Sequence, residues 1–284
     1  MINISPRLTQ GEKMQTATVI TKTANIYLEL PPKGVEILPG VKWGAVDAFP
    51  TPAYWVYQVF ANRLQGTSPN YRLGRTLAEE VGACLLGGHG IPASVGLAAY
   101  EHVKTHRAFD GEAPTEQQLV GWLQESLNVH GRAVRYRFAA QKARYLAAAL
   151  KLIPDAPRDC SGKTLRDWLL QVPGIGHKTA SWIARNWLAA DDVAILDIHI
   201  LRFGQAINLF PTKLTVERHY EALEALFLAF SAKVGIRPSD LDAVIWLEMA
   251  TSPLSTRTLV SAGNSALHRT NKRHSDTIQI AASA

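Results

Sequence analysis

From Pro52 to Ala250, apolar residues recur every three or four positions, the spacing of amphipathic helices. The segments PAYWVYQVFANRL, LGRTLAEEVGACLL and PASVGLAAYEHVKTH each carry this period. Proline opening the first and third fits the first turn of a helix. The same period runs through PTEQQLVGWLQESLNV. It then predicts a long basic helix from about Arg132 to Leu152, with Tyr136, Ala140, Ala143, Leu146 and Leu150 as its apolar stripe. Residues 153–163 form a loop. Shorter helices are expected over Thr164–Gln171 and His177–Leu188, another near Asp197, a long one over Thr215–Lys233 and a last one over Pro238–Ala250. Residues 1–50 read differently: short β-branched runs between turn residues predict an irregular arm or a small strand pair. The expectation is a mostly α, two-lobed helical molecule. Its parts would be an N-terminal extension (1–50), a helical core (51–250) with a hairpin at 164–188, and a basic C-terminal tail (251–284).

Composition narrows the function classes. The apolar fraction is 47% and the charged fraction 19%, which excludes a disordered polyelectrolyte. No apolar run reaches the roughly 18 residues that a membrane helix needs, and the N-terminus lacks a basic-then-apolar signal pattern. A cytoplasmic protein without membrane partners is expected. The two cysteines, Cys84 and Cys160, are too few for a four-cysteine zinc or iron–sulfur site. No metal site and no cofactor are expected. The net charge is +6, and it is concentrated. Between His130 and Lys178 lie Arg132, Arg135, Arg137, Lys142, Arg144, Lys151, Arg158, Lys163, Arg166 and Lys178, opposed only by Asp155, Asp159 and Asp167. Such a block suits a polyanion, nucleic acid first; a solvated helix face is the plainer alternative.

The richest stretch is LRDWLLQVPGIGHKTASWIARNWLAADDVAILDIHILRFG, residues 165–204. Leu165, Leu169 and Val172 mark one helix face, and Ala180, Ile183 and Ala184 a small, close-packing face on the next. Between them, Pro173-Gly174-Ile175-Gly176 makes a tight turn whose glycines permit positive φ and bare the backbone N–H groups. Ile175 can plug back between the helices. Free amides at a helix N-terminus suit a phosphate oxygen, with Val172, Gly174, Gly176 and His177 as the contact residues. Lys178 follows the turn. Asp197 lies 19 residues further on, after the apolar VAIL run, where it can cap the next helix. Taken singly, Lys178 is a phosphate-contacting lysine and Asp197 a helix cap; the pair at this spacing suggests more.

VPGIGHKTA followed by AILDIHILRFG resembles the helix-hairpin-helix, glycine/proline-rich loop and aspartate signature of the DNA base-excision glycosylases. KTASWIARN, RYRFAAQKARYL and DLDAVIWLEMA are similar to the compact 8-oxoguanine DNA glycosylase/lyase branch. The resemblance is good over residues 115–250 and weaker over 50–110. The cluster cysteines of endonuclease III are absent, and both ends of the chain extend beyond the compact pattern. The resemblance implies a bifunctional glycosylase/AP lyase acting on 8-oxoguanine in double-stranded DNA, in base excision repair, as a monomer. Lys178 would be the nucleophile and Asp197 the stabiliser of the sugar cation. A monovalent cation at the hairpin is compatible with the family. Two other readings stay open: a lyase-competent glycosylase for another modified base in a defence or modification system, and a DNA-binding module without turnover.

That chemistry sets a physical requirement. An ordinary lysine has a pKa near about 10.4, and Asp197 alone would raise it, so burial and the helix N-terminus must favour the neutral amine. A partly buried Lys178 is therefore expected, and a fully exposed one counts against lyase chemistry. Trp182 and Trp246 are candidates for the base pocket, with core packing as the alternative for each. The GGHGIP turn (87–92) reads as a helix connector before a base-admitting loop. His177 and His199 flank the pair, and packing or phosphate contact is the plainer reading of both. Arg132, Arg135 and Arg137 are phosphate contacts or a solvated face.

Overall fold

A computed structural model describes residues 13–66, 72–88 and 90–251. The expected basic tail lies, beyond its first residue, outside the described residues, as do the first twelve. The chain divides into two units. One comprises the described residues up to 66 together with those from Leu196 onward, and the other runs from 72 to Ile195.

The first unit begins with an antiparallel hairpin, β1 (Gln15–Ile20) and β2 (Asn25–Leu30), paired from Gln15↔Leu30 to Ile20↔Asn25. Alternation sets its faces: Val19, Leu28 and Leu30 are buried, while Ile20 and Tyr27 face solvent. A second short pair, β3 (Glu36–Leu38) and β4 (Val41–Lys42), follows. The strand-pair alternative thus holds for this extension. Thr51 then caps α1 (Pro52–Leu64), its hydroxyl accepting from Tyr54 N at 3.1 Å. Tyr57 Oη donates to Thr18 O at 3.1 Å and pins the hairpin to α1. The unit is completed by α8 (Ile198–Ala206), α9 (Val216–Val234) and α10 (Pro238–Thr251). Its core is aromatic. Trp55 meets Phe203 edge-on with ring centres 5.8 Å apart, and Phe203 packs in turn on Phe227 and Phe230. Arg63 pairs with Asp240 and ties α1 to α10.

The second unit packs α2 (Leu77–Leu86), α3 (Ala93–Thr105), α4 (Glu116–Gln124), α5 (Ala139–Leu152), α6 (Gly162–Leu169) and α7 (His177–Leu188) around a single core. Leu85, Leu119, Leu123, Leu146, Leu165, Leu169 and Ile183 are almost fully withdrawn from water. Thr115 and Gln118 form a reciprocal capping box at the start of α4.

Two expectations fail here. The segment from Ser126 to Arg135 is not helical. It is an antiparallel hairpin, β5 (Ser126–Val129) and β6 (Arg132–Arg135), so the basic helix starts only at Ala139. The cause is the two-residue turn His130-Gly131, both at positive φ, which the right-handed twist of a hairpin demands. Asn128 Oδ1 accepts from Gly131 N at 2.9 Å and closes it. The α5 stripe also shifts: Ala140 is exposed, and Ala139, Ala143, Leu146, Ala147 and Leu150 are buried. Tyr136, before the helix, is buried with its hydroxyl on Leu86 O.

Candidate active site

The hairpin belongs wholly to the second unit. Ser161 caps α6, accepting from Thr164 N at 3.1 Å, and Leu165, Leu169 and Val172 turn inward together. The chain reverses through Pro173-Gly174-Ile175-Gly176. Ile175 N donates to Val172 O at 3.1 Å, and the Ile175 side chain is buried, the expected plug. Ala180, Ile183 and Ala184 of α7 have no solvent exposure, which lets the two helices approach closely.

The two glycines have different reasons to be glycine. Gly174 has φ +85°, and a Cβ there would lie 2.3 Å from the ring of Tyr145 on α5. Both the backbone and the space exclude a side chain. Gly176 is extended, with φ −100° and ψ 176°, and a Cβ would meet nothing within 4 Å. The positive φ expected of both occurs at one. Among the described residues, neither Gly174 N–H nor Gly176 N–H donates to a protein acceptor. Both glycines are exposed. The turn thus presents two backbone donors at the positive end of a twelve-residue helix, an arrangement that binds a phosphate oxygen. The carbonyls of Val172 and Gly176 already accept from Ile175 N and Ala180 N. Each keeps a second lone pair, the kind of donor that a monovalent cation would need.

Lys178 is the second residue of α7, and it is exposed. The expectation of partial burial is therefore wrong for the protein alone. The physical reason is its position. The buried stripe of α7 begins at Ala180, and the preceding turn projects beyond it with His177 only half-buried.

Asp197 is the second residue of the first unit's second segment, which begins at Leu196. It is buried and caps α8, its Oδ1 accepting from His199 N at 2.8 Å and Ile200 N at 3.1 Å. The expected cap is real, and it places a carboxylate at the positive end of a helix. Leu196 N donates to Tyr220 Oη at 3.1 Å, anchoring the approach. The chain crosses from one unit to the other between Ile195 and Leu196, so Lys178 and Asp197 are carried by different units.

The candidate pocket aromatics are also divided. Trp182, on α7, is half-buried, and its Nε1 is buried without a hydrogen-bond partner among the described residues. Trp246, on α10, is 45% exposed, which removes core packing as its explanation. Ile198 and Leu247, on α8 and α10 of the same unit, are exposed too. His199 is half-buried with an unpartnered Nδ1. The 87–92 turn connects α2 to α3, as read. Gly88 and Gly90 take positive φ there, and Lys142 Nζ donates to Leu85 O at 2.6 Å and Gly87 O at 3.0 Å. Lys142 is thus spent on the last carbonyls of α2, and burial lowers its pKa. Arg132 and Arg135 project from β6 into solvent, and Arg137 is likewise exposed.

Sequence reasoning missed the buried carboxylates that fix α2. Glu80 accepts from Leu73 N and Gly74 N, each at 2.7 Å, and from Asn186 of α7 at 3.3 Å. Glu79 accepts from Arg75 N, Tyr100 Oη and Lys104 Nζ. In sequence they are an ordinary acidic pair in a first helical turn.

Comparison with known proteins identifies the family. The family model for 8-oxoguanine DNA glycosylase (Ogg-HhH) matches residues 76–236, a span that encloses the hairpin, Lys178 and Asp197 and stops before Trp246. An 8-oxoguanine DNA glycosylase/AP lyase of Thermoplasma acidophilum is 36% identical over 121 residues, 40% of this chain and 57% of that protein. One from Methanocaldococcus jannaschii is 34% identical over 129 residues, 43% of this chain and 61% of that protein. The matched part therefore spans less than two thirds of these relatives. The solved 8-oxoguanine DNA glycosylase of Thermotoga maritima shares the fold, with a TM-score of 0.50 and 22% identity over 68% of this chain and 94% of that one. The chain belongs to the 8-oxoguanine DNA glycosylase family of helix-hairpin-helix proteins.

Proposed function

We propose that this protein is a bifunctional DNA glycosylase/AP lyase that excises 8-oxoguanine from duplex DNA and nicks the strand in base excision repair. The observation that carries this reading is the hairpin of a family member with two unclaimed backbone N–H groups and an amine on the first turn of the same helix. The N–H groups of Gly174 and Gly176 hold a phosphate of the damaged strand, without reading sequence. The target nucleotide is extruded from the stack, at a cost of a few kcal/mol that is lowest for damaged bases.

Lys178 Nζ then attacks the sugar C1′. The glycosidic bond breaks, its electron pair leaving with the base, which takes up a proton. The C1′–O4′ bond then breaks, its electron pair leaving on O4′, which takes up the proton that Nζ gives up, and a protonated Schiff base between Nζ and C1′ results. That cation acidifies C2′–H, and loss of this proton expels the 3′ phosphate by β-elimination. Asp197 opposes the positive charge developing on the sugar. An ammonium cannot attack, so the reaction needs the neutral amine; Lys178 is exposed in the free protein, and the duplex that covers it supplies the dehydration that favours this form. Arg132 and Arg135 add sequence-independent phosphate contacts. Lysine and sugar supply both reacting centres, so no cofactor is called for. We take the working form to be a monomer acting on cytoplasmic DNA. Among the described residues, no helix is long and apolar enough to cross a membrane.

A labelled duplex carrying 8-oxoguanine opposite cytosine tests this. The expected product is a strand nicked 3′ of the lesion without alkali treatment. Cleavage only at another modified base would move the substrate. Salt-dependent binding without base release would leave a binding module and overturn the proposal.

A further inference from the structure

The second unit carries a cluster that the proposed chemistry does not use. His102 and His106 lie four residues apart at the end of α3, so both rings rise from one helix face. Glu125 stands where α4 gives way to β5. Its Oε2 is 3.0 Å from His102 Nε2 and 3.7 Å from His106 Nε2. The ligand atoms of all three lie within 4.8 Å of one another. His106 is stacked on Trp122 with ring centres 4.8 Å apart and planes 7° from parallel, which fixes its ring. His102 also lines an open cleft of about 430 Å³ between α3 and the β5–β6 hairpin, a solvent path to its ring.

We propose that His102, His106 and Glu125 form a binding site for a divalent transition-metal ion, zinc in the first instance. Two imidazoles and a carboxylate are a zinc donor set, with a fourth position left to water. Around a tetrahedral ion at about 2.0–2.2 Å, ligand atoms stand about 3.3–3.6 Å apart. The observed separations of 3.0 and 3.7 Å bracket that value. Small side-chain rotations bring the two Glu125 pairs to that spacing, and the two imidazoles, within 4.8 Å of each other, close in by the same kind of rotation. The ion replaces the contact that a protonated histidine would make with Glu125. It clips the end of α3 to the end of α4 across the loop that joins them. The H-x3-H spacing is visible in the sequence; Glu125 as its partner is not.

The test uses the untagged full chain, zinc titration by calorimetry and thermal melts with and without zinc. One zinc per chain is expected, with a higher Tm when it is bound. His102→Ala, His106→Ala and Glu125→Gln each weaken binding at least tenfold and abolish the Tm rise. Their zinc-free Tm values report folding separately. With cobalt in place of zinc, a tetrahedral visible spectrum appears in the parent chain and is lost in the histidine variants. No binding at about 1 mM zinc, the bottom of the useful affinity range, would overturn the proposal. So would zinc binding that all three substitutions leave unchanged.

Discussion

The two glycines of the hairpin allow a separation of fold from function. At Gly174, alanine would adopt a left-handed φ, which costs about 1–2 kcal/mol. Its Cβ would also lie 2.3 Å from the Tyr145 ring. That ring is held by its hydroxyl, which accepts from Gln141 Nε2 at 3.1 Å, so overpacking adds about 1–3 kcal/mol. Gly174→Ala should therefore destabilise by about 2–5 kcal/mol, a fall in Tm of roughly 5–15 °C. Gly176→Ala meets neither obstacle, since its backbone is extended and its Cβ site is open. Loss of glycine at this cap costs less than about 1 kcal/mol, and the Tm should stay within about 3 °C. The added methyl instead stands where a phosphate must approach the turn. Losing a charge-assisted hydrogen bond there is worth about 1.5–3 kcal/mol, or roughly 10- to 100-fold in affinity. Differential scanning fluorimetry and fluorescence anisotropy with a labelled duplex read the two effects. Undiminished DNA binding by Gly176→Ala would refute the phosphate role of the turn. An undiminished Tm for Gly174→Ala would refute the packing argument.

Three further outcomes follow from single sites. Asp197→Asn should retain the α8 cap and melt like the parent, because asparagine caps as well as aspartate, while base release falls at least 100-fold; parental activity would remove the carboxylate from the mechanism. Burial raises the pKa of Glu79, but hydrogen bonds from Arg75 N–H, Lys104 and Tyr100 outweigh it and hold the carboxyl below its ordinary 4.5. Its contribution is then present above that value and lost as pH falls through the lower folded pKa. Glu79→Gln should cost about 1.5–3 kcal/mol near neutrality, shrinking in urea melts below about pH 4; a pH-independent difference would contradict this. Burial holds Lys142 below its ordinary 10.5, so between the two values the unfolded chain carries more protons and stability rises with pH. The parent should accordingly gain stability relative to Lys142→Met on approaching that ordinary value, and a flat or falling difference in denaturant melts would count against the buried amine.

How much was legible depended on how local the signal was. The α7 boundaries, His177 and Leu188, stand as read, because a glycine turn and a small-residue face announce them. Asp197 as a cap was legible for the same reason. The β5–β6 hairpin was not, because SLNVHGRAVR offers helix-compatible spacing and its decisive feature is two residues at positive φ. Nor was the exposure of Lys178, which depends on how far the first turn of α7 projects past the core. Gly174 and Gly176 look equivalent in sequence, and only the folded turn distinguishes them, by the positive φ of Gly174 and the Tyr145 ring against it. Glu125 meets His102 through a long-range contact between α3 and the end of α4, which no spacing rule encodes.

The central claim is that Lys178 forms a covalent bond to the sugar. Borohydride trapping on an 8-oxoguanine duplex, with peptide mapping of the adduct, tests it directly. The account predicts an adduct mapped to Lys178 that disappears in Lys178→Gln, while the variant melts like the parent and still binds DNA. An adduct that survives the substitution, or base release by the parent without any adduct, would contradict it.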